Sequence, residues 1–143
     1  MYDRILLPTD GSKANTRAVE QAVNLAEQTG AELHVLFVVE EIPYAPEMTN
    51  ENIEMRLREI GENAIEEIRA QADEAGVSIQ AAVEKGTPHH GINTYVDEHG
   101  INLIVMGTHG RSGLDRYLLG SVTERIVRTA DVPVLTVRMD DDS

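Results

Sequence analysis

The sequence has no cysteine, no tryptophan and only five aromatic side chains among its 143 residues. Without cysteine there can be no disulfide, no thiolate nucleophile and no zinc site built on sulfur. Phe37 and four tyrosines are too few for the stacking platforms that bind single-stranded nucleic acids. No apolar run approaches the ~18 residues that a membrane-spanning helix needs. These absences favour a soluble domain that is stabilised by its own apolar core.

Basic residues are also scarce, since 12 Lys and Arg stand against 25 Asp and Glu and give a formal net charge of −13. A surface with this charge repels phosphate backbones and anionic lipids, so we expect no nucleic-acid partner, no membrane association and a cytoplasmic location. Lys13 and Lys85 are the only lysines, and residues 140–143 form an acidic tail. Two interpretations stay open: adaptation to concentrated salt, which screens self-repulsion, or an ordinary acidic cytosolic protein.

Five short runs rich in Val, Ile and Leu predict β-strands, and the segments between them have the apolar spacing of helices. The predicted strands are residues 5–7, 33–39, 77–83, 101–106 and 132–137. Strands that alternate with helices indicate a parallel sheet with helices on both faces. Because the composition shows no break and the length suits one domain, we expect a single α/β domain over residues 1–139 with an open five-stranded sheet.

Four helices are predicted between these strands. They cover residues 18–26, 53–72 and 87–99, and the fourth starts at Ser121. Gly30, Gly76 and Gly100 follow the first three helices and are typical stop signals. Glu124, three residues after Ser121, predicts a capping box at the start of the fourth helix.

Ligands of an open parallel sheet bind beyond the carboxyl ends of the strands, where the strand order reverses. After the fourth predicted strand come Gly107, Gly110 and Gly113, and Gly120 with Ser121 opens the next helix. Glycine lets backbone N–H groups approach an anion, and a helix N-terminus adds free donors and a favourable dipole. The pattern predicts a phosphate site that is neither a Walker A loop nor a dinucleotide fingerprint. The alternative is a flexible glycine-rich turn in which Ser121 only caps its helix.

The spacing Gly107-x2-Gly110-x9-Gly120-Ser121 resembles the nucleotide-binding signature of the universal stress protein family, in the subgroup that holds ATP. The opening Ile5-Leu-Leu-Pro-Thr-Asp-Gly-Ser and the closing Val132-Pro-Val-Leu-Thr-Val are similar to that family as well, so the resemblance covers the whole chain. It implies the adenine nucleotide alpha hydrolase-like fold with strand order 3-2-1-4-5. The loops after the first and fourth strands would then face each other.

The resemblance also implies the ligand and its contacts. ATP, with Mg²⁺ or Mn²⁺ on its phosphates, would bind between these two loops. The implied contacts are Val38 and Met106 for the adenine; Pro8, Thr9 and Asp10 for the ribose; Gly107, His109 and Gly110 along the ribose and phosphates; and Gly120, Ser121, Val122 and Thr123 for the phosphates. Asp10 would accept hydrogen bonds from the ribose hydroxyls.

As a member of this family the chain would act as a dimeric sensor or regulatory switch in a stress response, with at most slow ATP hydrolysis. The homodimer would form through residues 132–137, whose uncharged edge pairs with its copy, and Pro133 would stand at the start of that strand or face away. The alternative is a dimeric protein-interaction module that binds no nucleotide. The family often has Asp where this chain has Asn102, a position expected to lie away from the ligand.

Other functional classes fit the sequence less well. A phospho-accepting receiver domain would need an aspartate after the third strand, where this chain has Glu84-Lys85. Ser112, His109 and Asp115 lie too close together in sequence to reach the geometry of a hydrolase triad, and no nucleophile elbow precedes a helix.

The remaining histidines are expected to be structural or exposed. His89 and His90 would point about 100° apart on a helix, so surface or capping positions are favoured over a metal site. His34 and His99 are expected to be structural. Gly91 should weaken the start of the third helix by up to ~1 kcal/mol, and the sequence offers no function for it.

Overall fold

A computed structural model describes residues 2–12, 15–40, 50–108 and 120–138. Within these residues five parallel strands alternate with four helices, as the apolar pattern predicts. The strands are β1 (Arg4–Thr9), β2 (Glu32–Glu40), β3 (Ile79–Gly86), β4 (Leu103–Gly107) and β5 (Val134–Val137). The helices are α1 (Thr16–Thr29), α2 (Asn50–Glu74), α3 (Pro88–His99) and α4 (Ser121–Thr129). The strands lie in the order β3-β2-β1-β4-β5, so the predicted reversal between the first and fourth strands is confirmed.

Successive side chains of each strand enter two different apolar layers. On β1, Ile5 and Leu7 pack in the layer formed with α1 and α2, whereas Leu6 packs in the layer formed with α3 and α4. All three side chains are fully buried. A strand that is covered on both faces is mostly apolar, which explains the near-continuous apolar runs of β2 and β4. None of the helices in the described ranges has the length and apolarity to cross a bilayer.

The strands β3 and β4 begin later than predicted. Val77 is buried, but its N–H donates to the carbonyl of Ala72 at 2.9 Å, in the turn that follows α2. Ile101 donates in the same way to the carbonyl of Val96 at 3.1 Å, in the turn after α3. These residues are apolar because they cover the ends of the core, and the period of the pattern cannot distinguish that role from membership of a strand.

The start of β5 and the capping of α4 also differ from the prediction, whereas α4 begins at Ser121 as predicted. β5 begins at Val134, and Pro133 stands directly before it, where its missing N–H costs no bond between the strands. The predicted capping box is wrong. Gly120 is the N-cap of α4 and Ser121 is its first helical residue, with no side-chain capping bond at this described helix start. The N–H of Glu124 donates to the carbonyl of Gly120 at 2.9 Å, so the helix begins one residue too early for Ser121 to cap it.

Asn102 lies at the amino ends of the strands, opposite the loops that follow their carboxyl ends. Its Oδ1 atom accepts hydrogen bonds from the backbone N–H groups of Asp3 and Arg4 at 3.1 and 3.0 Å. These bonds fasten the start of β1 to the segment that leads into β4. An aspartate at this position would offer the same acceptor, so the exchange leaves the architecture intact.

Candidate functional site

A cleft of about 480 Å³ opens at the carboxyl ends of β1, β2 and β4. Its size falls in the range of roughly 300–1,000 Å³ that small-molecule sites occupy. Ten predicted site residues line it: Pro8, Thr9, Asp10, Val38, Met106, Gly107, Gly120, Ser121, Val122 and Thr123. The other two, His109 and Gly110, lie outside the described residues, as do Ser112, Asp115 and the acidic tail.

Seven further residues line the cleft without having been predicted. They are Asn15, Leu36, Phe37, Glu40, Leu57, Pro88 and Ile92. Leu36, Phe37 and Glu40 lie close to Val38 on β2. Because ligands bind at the carboxyl end of a strand, the position of Val38 already indicates that its neighbours lie near the ligand. Leu57 and Ile92 fit the apolar pattern of their helices, which predicts burial but not the proximity of either side chain to a cleft. Nothing in the sequence pointed to Asn15.

The loop after β1 is held in shape by its own side chains. Oδ1 of Asp10 accepts hydrogen bonds from the N–H of Ser12 and from Nδ2 of Asn15, both at 2.9 Å. Asn15 is only 7% exposed, so this contact is sheltered from water. Gly11 has φ 78°, and a Cβ there would lie 2.7 Å from Cγ2 of Ile60. The turn therefore requires glycine, and it presents the Asp10 carboxylate at the cleft in one orientation.

The start of α4 forms another part of the cleft lining. The N–H of Gly120 donates to the carbonyl of Thr108 at 2.7 Å, and Oγ1 of Thr123 donates to the carbonyl of Gly107 at 2.8 Å. These bonds tie the helix start to the end of β4. The first N–H groups of an α-helix have no acceptor inside the helix, and the helix dipole adds positive potential there. Ser121, Val122 and Thr123 thus bring donor groups to the cleft, and the exposed Ser121 adds a hydroxyl.

Among the residues that the structure describes, the charged side chains that line the cleft are all acidic. Asp10 and Glu40 line it, and no Lys or Arg from the described ranges does. An anion bound here would therefore meet two carboxylates at some distance and rely on backbone donors for attraction. The arrangement suits a ligand with hydroxyl groups near Asp10 and an anionic group at the start of α4.

The remaining wall of the cleft is apolar. Leu36 and Met106 are buried in the layer below α3 and α4, and Val38 and Ile92 belong to the same layer. Pro88, the first residue of α3, completes this wall. A flat heterocycle would find apolar contacts here, at a distance from the donor groups of α4.

The histidines that were expected to be structural lie away from this cleft. His34 is 2% exposed, and its Nδ1 and Nε2 atoms lie 2.6 Å from the Tyr95 hydroxyl and 2.7 Å from Oε1 of Glu32. His99 stacks on Tyr95 with ring centroids 3.7 Å apart. His90 is exposed, as predicted. No group of three possible metal-ligating side chains occurs among the described residues.

This chain is similar to known proteins in both sequence and fold. The model of the "Universal stress protein family" matches residues 1–138. Universal stress protein MJ0531 of Methanocaldococcus jannaschii is 38% identical over 141 residues, which cover 96% of this chain and 83% of that protein. The solved structure of the hypothetical protein MJ0577 superposes with a TM-score of 0.87 at 29% identity and covers 99% of both chains. A universal stress protein solved in complex with cAMP has a TM-score of 0.73 at 26% identity, over 97% of this chain and 98% of that one.

These likenesses confirm the adenine nucleotide alpha hydrolase-like fold that the sequence implied. The chain belongs to the universal stress protein family.

Proposed function

We propose that this chain binds ATP, together with Mg²⁺ or Mn²⁺, in the cleft between the loop after β1 and the start of α4. One observation carries the proposal: Asp10 and the first turn of α4 line the same cleft. A nucleotide needs acceptors for its ribose hydroxyls and donors for its phosphates, and this pair supplies both. The cAMP complex of a related protein supports an adenine nucleotide as the ligand class.

Different lining residues would contact different parts of the ligand. Val38 and Met106 would contact the adenine in the apolar part of the cleft, and Asp10 would accept hydrogen bonds from the ribose. Ser121 and Val122 would present their backbone N–H groups at the phosphates, and Gly120, whose own N–H is donated to the Thr108 carbonyl, would let the phosphates approach the helix start closely. The hydroxyl hydrogen of Thr123 is donated to the Gly107 carbonyl, so this residue would contribute through its N–H.

The metal ion would neutralise phosphate charge. Since the described residues contain no group of three possible ligands, it would be held mainly by phosphate oxygens and water, as Mg²⁺ commonly is. In this proposal the chain acts in the cytoplasm as a nucleotide-responsive switch, with at most slow hydrolysis.

Calorimetric titration of the wild-type protein with ATP tests the proposal. With Mg²⁺ present we expect saturable binding with a dissociation constant well below the millimolar range. A parallel titration with EDTA should give weaker binding, because the phosphates then keep their full charge beside Asp10 and Glu40. Mass spectrometry of any nucleotide that co-purifies identifies the base. No heat of binding at millimolar ATP would overturn the proposal and favour an interaction module without nucleotide.

We further propose a homodimer that forms through β5. This strand lies at the edge of the sheet, and Leu135 on it is 38% exposed. The carbonyls of Pro133 and Val137 accept hydrogen bonds at 3.0 Å from the N–H of Ile104 in β4 and from that of Thr108, the residue directly after β4. Because alternate residues of a strand direct their backbone groups to the same neighbour, Val134 and Thr136 direct theirs away from β4. These outward groups are a template for a second β5.

Thr136→Pro should therefore convert the dimer into a monomer. Proline removes the outward N–H and leaves the bonds between β4 and β5 in place. The matched control is Thr136→Val, which keeps the N–H and the shape of the side chain. Light scattering gives the mass of each variant, and a thermal melt shows whether it is folded. A folded Thr136→Pro protein that still has the mass of a dimer would reject pairing through β5.

A further inference from the structure

Two helices of this protein contain glycine at interior positions. Gly61 lies in the middle of α2, and Gly91 is the fourth residue of α3. Glycine is a poor helix former, so its presence inside a helix calls for a reason in the packing. Neither residue has a positive φ, which leaves close approach of another element as the reason.

Both glycines face the same short stretch of β2. A Cβ at Gly61 would lie 2.6 Å from Cδ1 and 2.7 Å from Cγ of Phe37, and a Cβ at Gly91 would lie 3.2 Å from Cγ2 of Val38. Phe37 and Val38 are consecutive residues, so their side chains point to opposite faces of the sheet. Both of them line the cleft. Two helices thus approach the same end of β2 from its two faces, each at a glycine.

We propose that Gly91 is a positioning residue of the nucleotide site, and that Gly61 has the matching role on the other face. Because Gly91 has no Cβ, α3 can approach β2 closely, and this approach determines the position of the Val38 side chain in the cleft. The neighbouring Ile92 and Pro88 belong to the same helix start and line the cleft too, so a shift of α3 would move all three side chains. This inference rests on the proposed function, since the ligand that Val38 contacts is the nucleotide.

Gly91→Ala separates this role from a purely structural one, because binding should fall while stability changes little. Alanine improves helix propensity, which offsets the cost of the tighter contact with Val38, so the melting temperature should stay close to that of the wild type. The new Cβ must displace Val38 or α3 by a few tenths of an ångström, a mild case of overpacking that we expect to weaken ATP binding roughly three- to tenfold. The matched control is His90→Ala, an exposed change in the same helical turn, which should leave ATP affinity unaltered.

A double-mutant cycle shows whether the effect acts through Val38. In a Val38→Ala background the partner of the new Cβ is absent, so adding Gly91→Ala should change the affinity by less than about twofold. Calorimetry with ATP and Mg²⁺ on the full chain gives the four affinities. If Gly91→Ala binds ATP as tightly as the wild type, or weakens it equally in both backgrounds, the inference is wrong while the proposed function stands. If the wild type binds no ATP, the proposed function fails first and this inference fails with it.

Discussion

Ser121→Pro should weaken ATP binding by roughly 10- to 100-fold while the protein stays as stable as the wild type. The substitution removes one backbone N–H and one hydroxyl from the first turn of α4. A hydrogen bond to a charged group contributes about 1.5–3 kcal/mol, and each 1.4 kcal/mol is a factor of ten in affinity. Because Lys and Arg are absent from the cleft lining in the described ranges, other groups there have little capacity to compensate for the lost donors.

The helix itself should tolerate proline at this position. Ser121 is the first residue of α4, where an N–H has no acceptor within the helix and where the fixed φ of proline suits the helical start. The residue before a proline must be extended, and Gly120 has φ −61° and ψ 155°. Loss of binding would therefore come from the missing donors rather than from a broken helix.

Ser121→Ala is the matched control, because it removes the hydroxyl and keeps the N–H. We expect its affinity for ATP to lie between those of the wild type and Ser121→Pro. Calorimetry measures the affinities and thermal denaturation measures the stabilities. Equal ATP binding by wild type and Ser121→Pro would mean that the phosphates do not lie at the start of α4.

Much of the site could be predicted because ligands of an open parallel sheet bind beyond the carboxyl ends of the strands, where the strand order reverses. The apolar runs gave the strand ends, and the strand order implied by the family resemblance brought the loops after the first and fourth strands together; Asp10 and Gly120 both line the cleft. Phe37 and Leu57 were missed as lining residues for a physical reason. A side chain that packs in the core and also borders a cleft has the same apolar signature as one that only packs.

Gly91 and Ser121 show where local patterns fail. Gly91 contradicts helix propensity, and only a tertiary contact with Val38 accounts for it. Ser121 and Glu124 have the spacing of a capping box, but the bond from the Glu124 N–H to the Gly120 carbonyl moves the helix start by one residue. The approach of α3 to β2 lies outside any window of the sequence, and the spacing of Ser121 and Glu124 does not say which residue accepts the first bond of α4.

The acidity of the chain is consistent with this cleft. A protein with a net charge of −13 attracts no polyanion at long range, so a nucleotide must be held by local donors and by its own metal ion. Asp10 and Glu40 make that requirement stricter, since they add negative charge to the lining. A backbone cradle suits such a protein, because its N–H groups act at short range and cannot be neutralised by the surrounding carboxylates.

His34→Leu should lower the free energy of unfolding by about 2–4 kcal/mol, since it removes a buried imidazole that is hydrogen-bonded to both Glu32 and Tyr95. With the neutral ring, Nε2–H donates to Glu32 and Nδ1 accepts from the Tyr95 hydroxyl. Tyr95 is 3% exposed, so leucine leaves its hydroxyl buried without the acceptor it now has. Chemical denaturation measures the loss.

The double variant His34→Leu/Tyr95→Phe provides the control for this effect. Removing the hydroxyl together with its acceptor should recover a large part of the lost stability, because no buried polar group is then left without its partner. If the double variant is less stable than His34→Leu by the full cost of Tyr95→Phe alone, the two side chains are independent and the hydrogen bond contributes nothing.

The pH dependence of stability gives a second measure of the same cluster. Burial, and then the nearby Glu84 and Glu32 carboxylates, raise the pKa of Tyr95 above its ordinary value of 10.0. Below pH 10.0 the hydroxyl is protonated in the folded and unfolded states alike, so it causes no pH dependence. Above it the unfolded chain loses this proton while the folded protein keeps it, so stability falls as the pH rises. We expect Tyr95→Phe to flatten this alkaline decline in denaturation curves recorded from neutral pH upward; an identical decline in the variant would show that other groups cause it.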